Sequence, residues 1–446
     1  MRQIKLIMIL FLLFLNYGSI FRLFTNSNVY SLEISYNDNL FISSFKDTPL
    51  LEWSLTWNGV ENEIPRGIAL DSFGNIYIAG SIFDESTLDT RIFLAKFNNL
   101  GHLQWNRTFD RGEQYAYDIA IDSADTVYVV GAIEDNITTY TDLLLIKYDN
   151  LGNYQSNITW GGSYSDSCIG IVLDSEDNIY LTGQYGVDDM DYDLCLVKYN
   201  TLGEYQWNRT WGETGEDVGY KLVLDSSNNI YVTGQFVTAS NGADICLIKY
   251  NNLGEYQWNR TWNIGTHEYG TGIALDSSNN IYVTGYFLNG SYPNYDAVLI
   301  KWNNAGTKIW NKTWGKDHID IILDIELDSE DQIYLTGFAN YSATRQDDFW
   351  LMQYNTNGQQ LYNNIWGGSK IDRFYAMTLD SANNLYITGT TENFGANKAD
   401  VYLAMYSTNG QPSEENIPFG STYLIFTIFG IAFLIVVELK RKKIQK

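Results

Sequence analysis

Leu224–Gly234 reads LDSSNNIYVTG, and the same eleven residues return at Leu275–Gly285. Five looser copies begin at Leu70, Ile121, Leu173, Leu327 and Leu379: LDSFGNIYIAG, IDSADTVYVVG, LDSEDNIYLTG, LDSEDQIYLTG and LDSANNLYITG. Their aspartates, Asp71, Asp122, Asp174, Asp225, Asp276, Asp328 and Asp380, are separated by 51, 52, 51, 51, 52 and 52 residues. A fixed period of this size marks a repeat architecture with one supersecondary unit per period. No sustained 3.6-residue apolar period accompanies it. Strand-rich units of this length are the blades of propellers.

Each unit reads as four strands. A short apolar run such as Gly272-Ile273-Ala274-Leu275 comes first. Asp-Ser-x-x-Asn follows, a turn whose side chains bond their own backbone. Ile-Tyr-Val-Thr-Gly is the second strand, and Asp244–Tyr250 exemplifies the third. The turn Asn251–Gly254 leads to a fourth, Tyr256–Trp262. Strands two and three are apolar on successive residues, the pattern of strands covered on both faces. The fourth alternates and is more polar, as an outer edge should be.

The fourth-strand motif also precedes the first Asp phrase, as Leu51–Trp57, and none follows the last third strand, Val401–Tyr406. The opening copy is therefore free to complete the last blade. The count predicts an all-β, seven-bladed propeller of four-stranded blades, closed by the N-terminal strand; closure removes the edges of an unfinished array. An open solenoid would need capping repeats with polar faces, and the sequence has none.

The unit Gly-x-Ala-Leu-Asp-Ser-x-x-Asn-Ile-Tyr-Val-Thr-Gly, followed by Asp-x-x-Leu-x-Lys-Tyr-Asn and a Gly turn, resembles the SBBP family of bacterial and archaeal β-propeller repeats over residues 50–407. The resemblance implies fold and carries no catalytic site. Six copies depart from that family's Ser-x-Gly-Asn turn, and only Ser72-Phe73-Gly74-Asn75 keeps the glycine. The departure bears on turn geometry and leaves the blade reading intact.

Charged residues make up 18% of the 446 and aromatics 15%, the composition of a packed β protein. The net charge is −25, and eight of the 28 basic residues lie in the two terminal segments. Such a field repels phosphate backbones and argues against nucleic acid as a partner. Residues 1–25, with basic residues before the apolar Leu6–Leu15, read as a signal peptide or signal anchor, and 26–49 as a linker. Residues 50–406 are the propeller ectodomain and 407–420 a second linker. A single transmembrane helix is expected at 421–439, around the apolar run Tyr423–Leu439, followed by a basic tail at 440–446. Lys440-Arg441-Lys442-Lys443 places the C-terminus in the cytoplasm and the propeller outside a cell membrane.

Three cysteines make no disulfide framework. Cys195 and Cys246 occupy equivalent third-strand sites and read as core fillers, as does Cys168 at the start of an inner strand. Eight Asn-x-Ser/Thr sequons begin at Asn106, Asn136, Asn157, Asn208, Asn259, Asn289, Asn311 and Asn340. Five share one place in the outer strand. They read either as a belt of glycosylation sites or as one packing motif copied with the repeat.

The turns after strands one and three barely change between units, whereas the loops after strands two and four differ in every one. By strand polarity the variable loops share a face, which is the expected recognition surface. Five residues before each Asp stand Arg66, Tyr117, Ile169, Tyr220, Thr271, Leu323 and Tyr375; Arg66, Tyr117, Tyr220 and Tyr375 are the candidate ligand-binding residues at the channel mouth. No cofactor is expected. Asp189-x-Asp191-x-Asp193 copies the first ligand positions of a calcium loop but lacks its later Gly and Glu, so calcium competes with a solvated acidic loop. His102, His267 and His318 lack metal spacing, and no catalytic motif appears. The leading reading is a membrane-anchored recognition or adhesion module for a surface glycan or protein. The alternatives are an extracytoplasmic lyase or hydrolase with an acidic and tyrosine site at the channel mouth, marked by perturbed carboxylates or a metal in a variable-face pocket, and a structural envelope component.

Overall fold

The computed structural model describes residues 21–25, 28–34, 40–44, 48–57, 59, 61–134, 140–238, 242–290, 292–315, 318–340, 346–393 and 398–408. The expected signal core, the apolar run 423–439, the basic tail and Asn136 lie outside them. Phe21–Thr25, Asn28–Ile34 and Leu40–Ser44 form a three-stranded antiparallel sheet within the stretch read as signal and linker.

The repeats form seven four-stranded antiparallel sheets. Six are built from four consecutive strands each, starting with Asn62–Leu70, Ile76–Phe83, Thr90–Phe97 and Leu103–Phe109. The seventh joins Asp372–Leu379, Leu385–Thr391 and Asp400–Ser407 to Leu50–Trp57, so the opening strand is the outer strand of the last blade. The Ser54 hydroxyl bonds the Tyr402 phenol across that pair. Beside it, Glu63 N donates to Ala399 O at 2.8 Å, and Lys398 pairs with Glu61 at 2.6 Å.

The apolar core lies between blades. Seven buried clusters occupy the seven junctions: Tyr77, Leu94, Val129 and Ile146 join the first two blades, and Ile78, Phe93, Tyr386 and Leu403 join the last to the first. Strand two is buried over its first five residues because both of its faces meet a neighbouring sheet there. Cys168, Cys195 and Cys246 are free and buried.

Most letters of LDSSNNIYVTG have a structural role. The Asp225 carboxylate accepts the backbone N–H of Ser227 and Asn229, each at 2.9 Å, and the Tyr231 hydroxyl at 3.2 Å. Burial opposes the charge on Asp71, Asp174, Asp225 and Asp276, but the hydrogen bonds from their turns outweigh it and lower the pKa. The tyrosine rings are capped by the third-strand lysine, with Lys249 Nζ 4.7 Å from the Tyr231 centroid and Lys198 4.6 Å from that of Tyr180. In the turn, Gly74 has φ +75°, and Asp125, Asp177, Asn228, Asn279, Asp331 and Asn383 have φ between +58° and +64°. The turn geometry is therefore conserved despite the missing glycines, because Asp and Asn tolerate the left-handed region. The substituted side chains add a link between blades: Asp125 accepts the Ser72 N–H and hydroxyl at 2.8 and 2.9 Å, and Asp177 does the same for Ser123 at 3.0 and 2.6 Å.

The closing glycine answers to a bulge. In every blade the register between strands one and two skips one residue, as between Gly219 and Lys221. The carbonyl two residues before the skipped one lies directly over the strand-two glycine, where a Cβ on Gly234 would overlap the Val218 oxygen. Gly234→Ala should therefore destabilise the chain by about 3 kcal/mol, read as a lowered melting temperature, whereas Ser226→Ala on the exposed turn should change it by less than about 0.5 kcal/mol. Equal melting of the two variants would contradict this packing.

Candidate functional site

The residues that skip the register are Arg66, Tyr117, Ile169, Tyr220, Thr271, Leu323 and Tyr375. They are the seven singled out by their spacing from the repeat aspartates. A bulge leaves its extra residue outside the ladder and re-aims its side chain. Three of the four candidates come together. The exposed Arg66 guanidinium lies 4.7 Å above the Tyr375 ring, and Tyr117 stacks on Tyr115 at 6.4 Å with planes 10° apart. Burial raises the Tyr117 pKa and the charge of Arg66 opposes that rise. A hollow of about 240 Å³ between the first two blades is lined by Arg66, Tyr115, Tyr117, Phe83 and Thr90. Tyr220 lies elsewhere, donating to Gln235 Oε1 at 2.8 Å beside Tyr269 and Tyr286, which stack at 4.8 Å.

The next register position alternates around the ring. Gly67, Gly170, Gly272 and Ala376 occupy it in odd-numbered blades, and Asp118, Lys221 and Asp324 in even-numbered ones. A Cβ on Gly67 would meet the Asp118 backbone, and one on Gly170 that of Lys221, so the small residues let the charged strands approach the axis. Lys221 Nζ reaches Asp118 Oδ2 at 2.8 Å, joining blades two and four. Asp118 also accepts Ile171 N–H at 3.3 Å and Asp324 accepts Met377 N–H at 2.9 Å, each from the following blade. Burial alone would lower the Lys221 pKa, but Asp118 and Asp324 outweigh it and hold the ammonium charged. Burial lifts Asp324 to about 6, against the pull of Lys221. Burial and then Asp324 lift Glu326 to about 8. These perturbed carboxylates lie inside the channel and share it with a lysine.

A second ring sits under the variable loops. Eight residues before each repeat aspartate stand Glu63, Gln114, Asp166, Asp217, Glu268, Asp320 and Asp372, all buried. Asp217 accepts Glu213 N–H at 2.7 Å and Val237 N–H at 2.6 Å, and Asp166 accepts those of Gly162 and Gly186 at 2.6 and 2.9 Å. One carboxyl thus pins the loop entering its blade to the end of strand two. Burial raises Asp166 and Asp217 to about 6, with Asp142 and Asp193 nearby adding to the rise. The sequence signal was a fixed offset from the repeat aspartate, obscured by the mixture of Asp, Glu and Gln.

The calcium candidates face different partners. Asp189 accepts the Tyr140 hydroxyl at 2.5 Å, Asp191 accepts Gly215 N–H at 2.8 Å, and burial raises the Asp193 pKa. Among the described residues, no three His, Cys, Asp or Glu side chains group to hold a metal. Of the sequon asparagines, Asn106 and Asn289 are exposed, Asn157, Asn208, Asn259 and Asn311 are half-buried, and Asn340 is buried. Asn157 accepts the Tyr154 hydroxyl at 2.5 Å and Asn289 donates to Asp296 at 2.8 Å.

Residues 59–82 and 264–286 match the SBBP beta-propeller repeat. The chain carries SBBP repeats. It is also similar to the uncharacterized WD repeat-containing protein L264 of Acanthamoeba polyphaga mimivirus, 25% identical over 202 residues that span 35% of this chain and 14% of that relative's length. Among solved structures it is similar to the Pan2 WD40 domain of Neurospora crassa, with 8% identity, 84% of this chain and 98% of that one covered and a TM-score of 0.49. YCF48 bound to D1 peptide aligns with 10% identity, 81% and 98% coverage and a TM-score of 0.48. Both scores lie below 0.5, and the fold of this SBBP-repeat chain rests on its own strand order.

The raised carboxyls fix a pH dependence. A folded-state pKa above the unfolded value means that the native state holds protons the unfolded chain has released, so this stability is present in acid and lost as pH rises through the folded value. Asp166, Asp217 and Asp324 near 6 and Glu326 near 8 place the loss between about pH 4 and 8. Buried Asp166 and Asp217 account for roughly 2–3 kcal/mol each. The lowered turn aspartates lose their contribution only below about pH 4. Calorimetry should find a higher melting temperature at pH 5 than at pH 7.5; a lower one would contradict the assignment.

Proposed function

We propose that this chain displays its propeller outside a cell membrane, anchored by the C-terminal apolar run, and recognises a surface protein or glycan through the variable face. Arg66, Tyr117 and Tyr375 form the centre of that surface at the channel mouth, and Tyr220 extends it to the aromatic row of the fifth blade. A glycan belt on the outer-strand asparagines would leave this face open. One observation carries the reading: the ring repeats one backbone frame seven times, yet its bulge residue differs from blade to blade, and the exposed arginine of the first blade lines a hollow and lies over Tyr375 of the seventh. A scaffold constant on one face and diversified on the other suits recognition, and propellers commonly mediate protein interactions. Aromatic rings with an arginine are the side chains that dominate binding energies.

The test is proximity cross-linking by the full chain on intact cells, followed by affinity measurement on the captured protein or glycan. Arg66→Ala and Tyr375→Ala should each weaken binding tenfold or more, about 1.4 kcal/mol, while Ser226→Ala on the uniform face leaves it unchanged. Recovery that is the same for all three variants would contradict the reading.

A further inference from the structure

The junction between the last and first blades contains a hollow of about 420 Å³ that the repeat pattern does not account for. It lies at the variable-loop end, where the outer strand of blade seven ends on Trp57. The register identifies its origin. Ile82 pairs with Arg91 across strands two and three of the first blade. The equivalent pairs are Ile133 with Asp142, Tyr185 with Asp193, Phe236 with Asp244, Phe287 with Asp296, Ala339 with Asp348 and Thr391 with Asp400. The first blade therefore has arginine where the other six have aspartate. It also has isoleucine where blades three to five have an aromatic ring.

In those three blades the ring fills the junction. Trp160 meets Tyr185 at 5.5 Å, Trp211 meets Phe236 at 4.6 Å and Trp262 meets Phe287 at 5.8 Å. At the closing junction Trp57 instead leans edge-on against Phe93 and Phe97, at 5.5 and 6.2 Å, and the space over Ile82 stays open. Arg91 and Asp84 line that space. Arg91 Nη2 is 3.8 Å from Asp84 Oδ2, and its Nε, shielded from solvent, finds no acceptor among the described residues. Glu61 and the buried Glu63 stand on the wall, and Asn106 and Thr108, both exposed, stand at the lip.

We infer that this hollow is a binding site for a single neutral sugar ring, a pyranose unit of a glycan. The inference rests on the recognition reading above and names its ligand class. The chemistry of the wall selects the ligand. An indole fixed by two phenyl rings offers an apolar platform of the kind that the C–H face of a pyranose covers. A guanidinium and carboxylates, with five donors in a planar fork on one side and paired acceptors on the other, match vicinal hydroxyls, each of which both donates and accepts. Charges of both signs line the hollow, so neither a free anion nor a free cation is favoured over a neutral polyol. The volume falls in the range of about 300–1,000 Å³ usual for small-molecule sites.

Saturation-transfer NMR on the full, enzymatically deglycosylated chain tests this, with glucose, galactose, mannose and N-acetylglucosamine as probes. At least one should receive saturation. Ile82→Phe installs the ring that blades three to five already carry; it should leave the melting temperature within a few degrees and weaken binding at least tenfold. Arg91→Asp restores the repeat residue and should do the same. Transfer to none of the four, or transfer undiminished in both variants, overturns the inference. Binding that survives both variants and is lost in Arg66→Ala also overturns it, while leaving recognition at the channel mouth in place.

Discussion

Every blade of this protein has two apolar faces and no means of covering them alone. Strands two and three are buried on both sides, and the seven apolar clusters are shared between adjacent sheets. An array of such sheets is stable only if each end finds a partner, and bending it into a ring satisfies both ends at once. The ring in turn needs its last sheet to be complete. Leu50–Trp57 supplies the missing ribbon, with Trp53, Leu55 and Trp57 packed into the final cluster. The chain is therefore locked by its own beginning, and the rest of the architecture follows from that closure.

The repeat phrase encodes the joints of this ring. Its aspartate organises the turn and holds a tyrosine, its tyrosine receives a lysine, and its glycine admits the bulged inner strand. Outer-strand residues extend the same logic between blades. Arg209 donates to the carbonyls of Gly254 and Leu253 at 2.6 and 3.3 Å, and the Trp207 ring fills the space beneath Gly254. All these contacts belong to the uniform face or to the interior. At the other face the frame is held by a different device, the buried carboxyl that ties two loops together, and the loop residues themselves are left to vary. Constancy and variation thus fall on opposite ends of the same strands.

The fold was legible because LDSSNNIYVTG combines a fixed period with residue types that each have one structural use. Blade count, strand order, closure by Leu51–Trp57 and the burial of Cys195 and Cys246 all follow from it. The seven bulge positions were legible too, by their constant offset. Other features were hidden for physical reasons. The alternation of small residues with Asp118, Lys221 and Asp324 has no meaning until the register aligns the inner strands around one axis. The ring from Glu63 to Asp372 was masked by the exchange of Asp, Glu and Gln at one site. Arg91 looks unexceptional in sequence, and only its pairing with Ile82 across two strands shows that the first blade has arginine where the others have aspartate. The substituted turn residues were read as altering geometry; the left-handed φ at Asp125 and Asn383 is kept, and the side chains serve the neighbouring blade instead.

Closure is the claim from which everything else descends, and amide hydrogen exchange addresses it most directly. In a closed ring the backbone of Leu50–Trp57 opens only when the whole propeller unfolds. Its amides should exchange at the same slow, global rate as those of Val401–Tyr406 and of the outer strand Tyr205–Trp211. Exchange of Leu50–Trp57 at the rate of a free segment, while the other outer strands stay protected, would show that the seventh blade is not completed by the start of the chain.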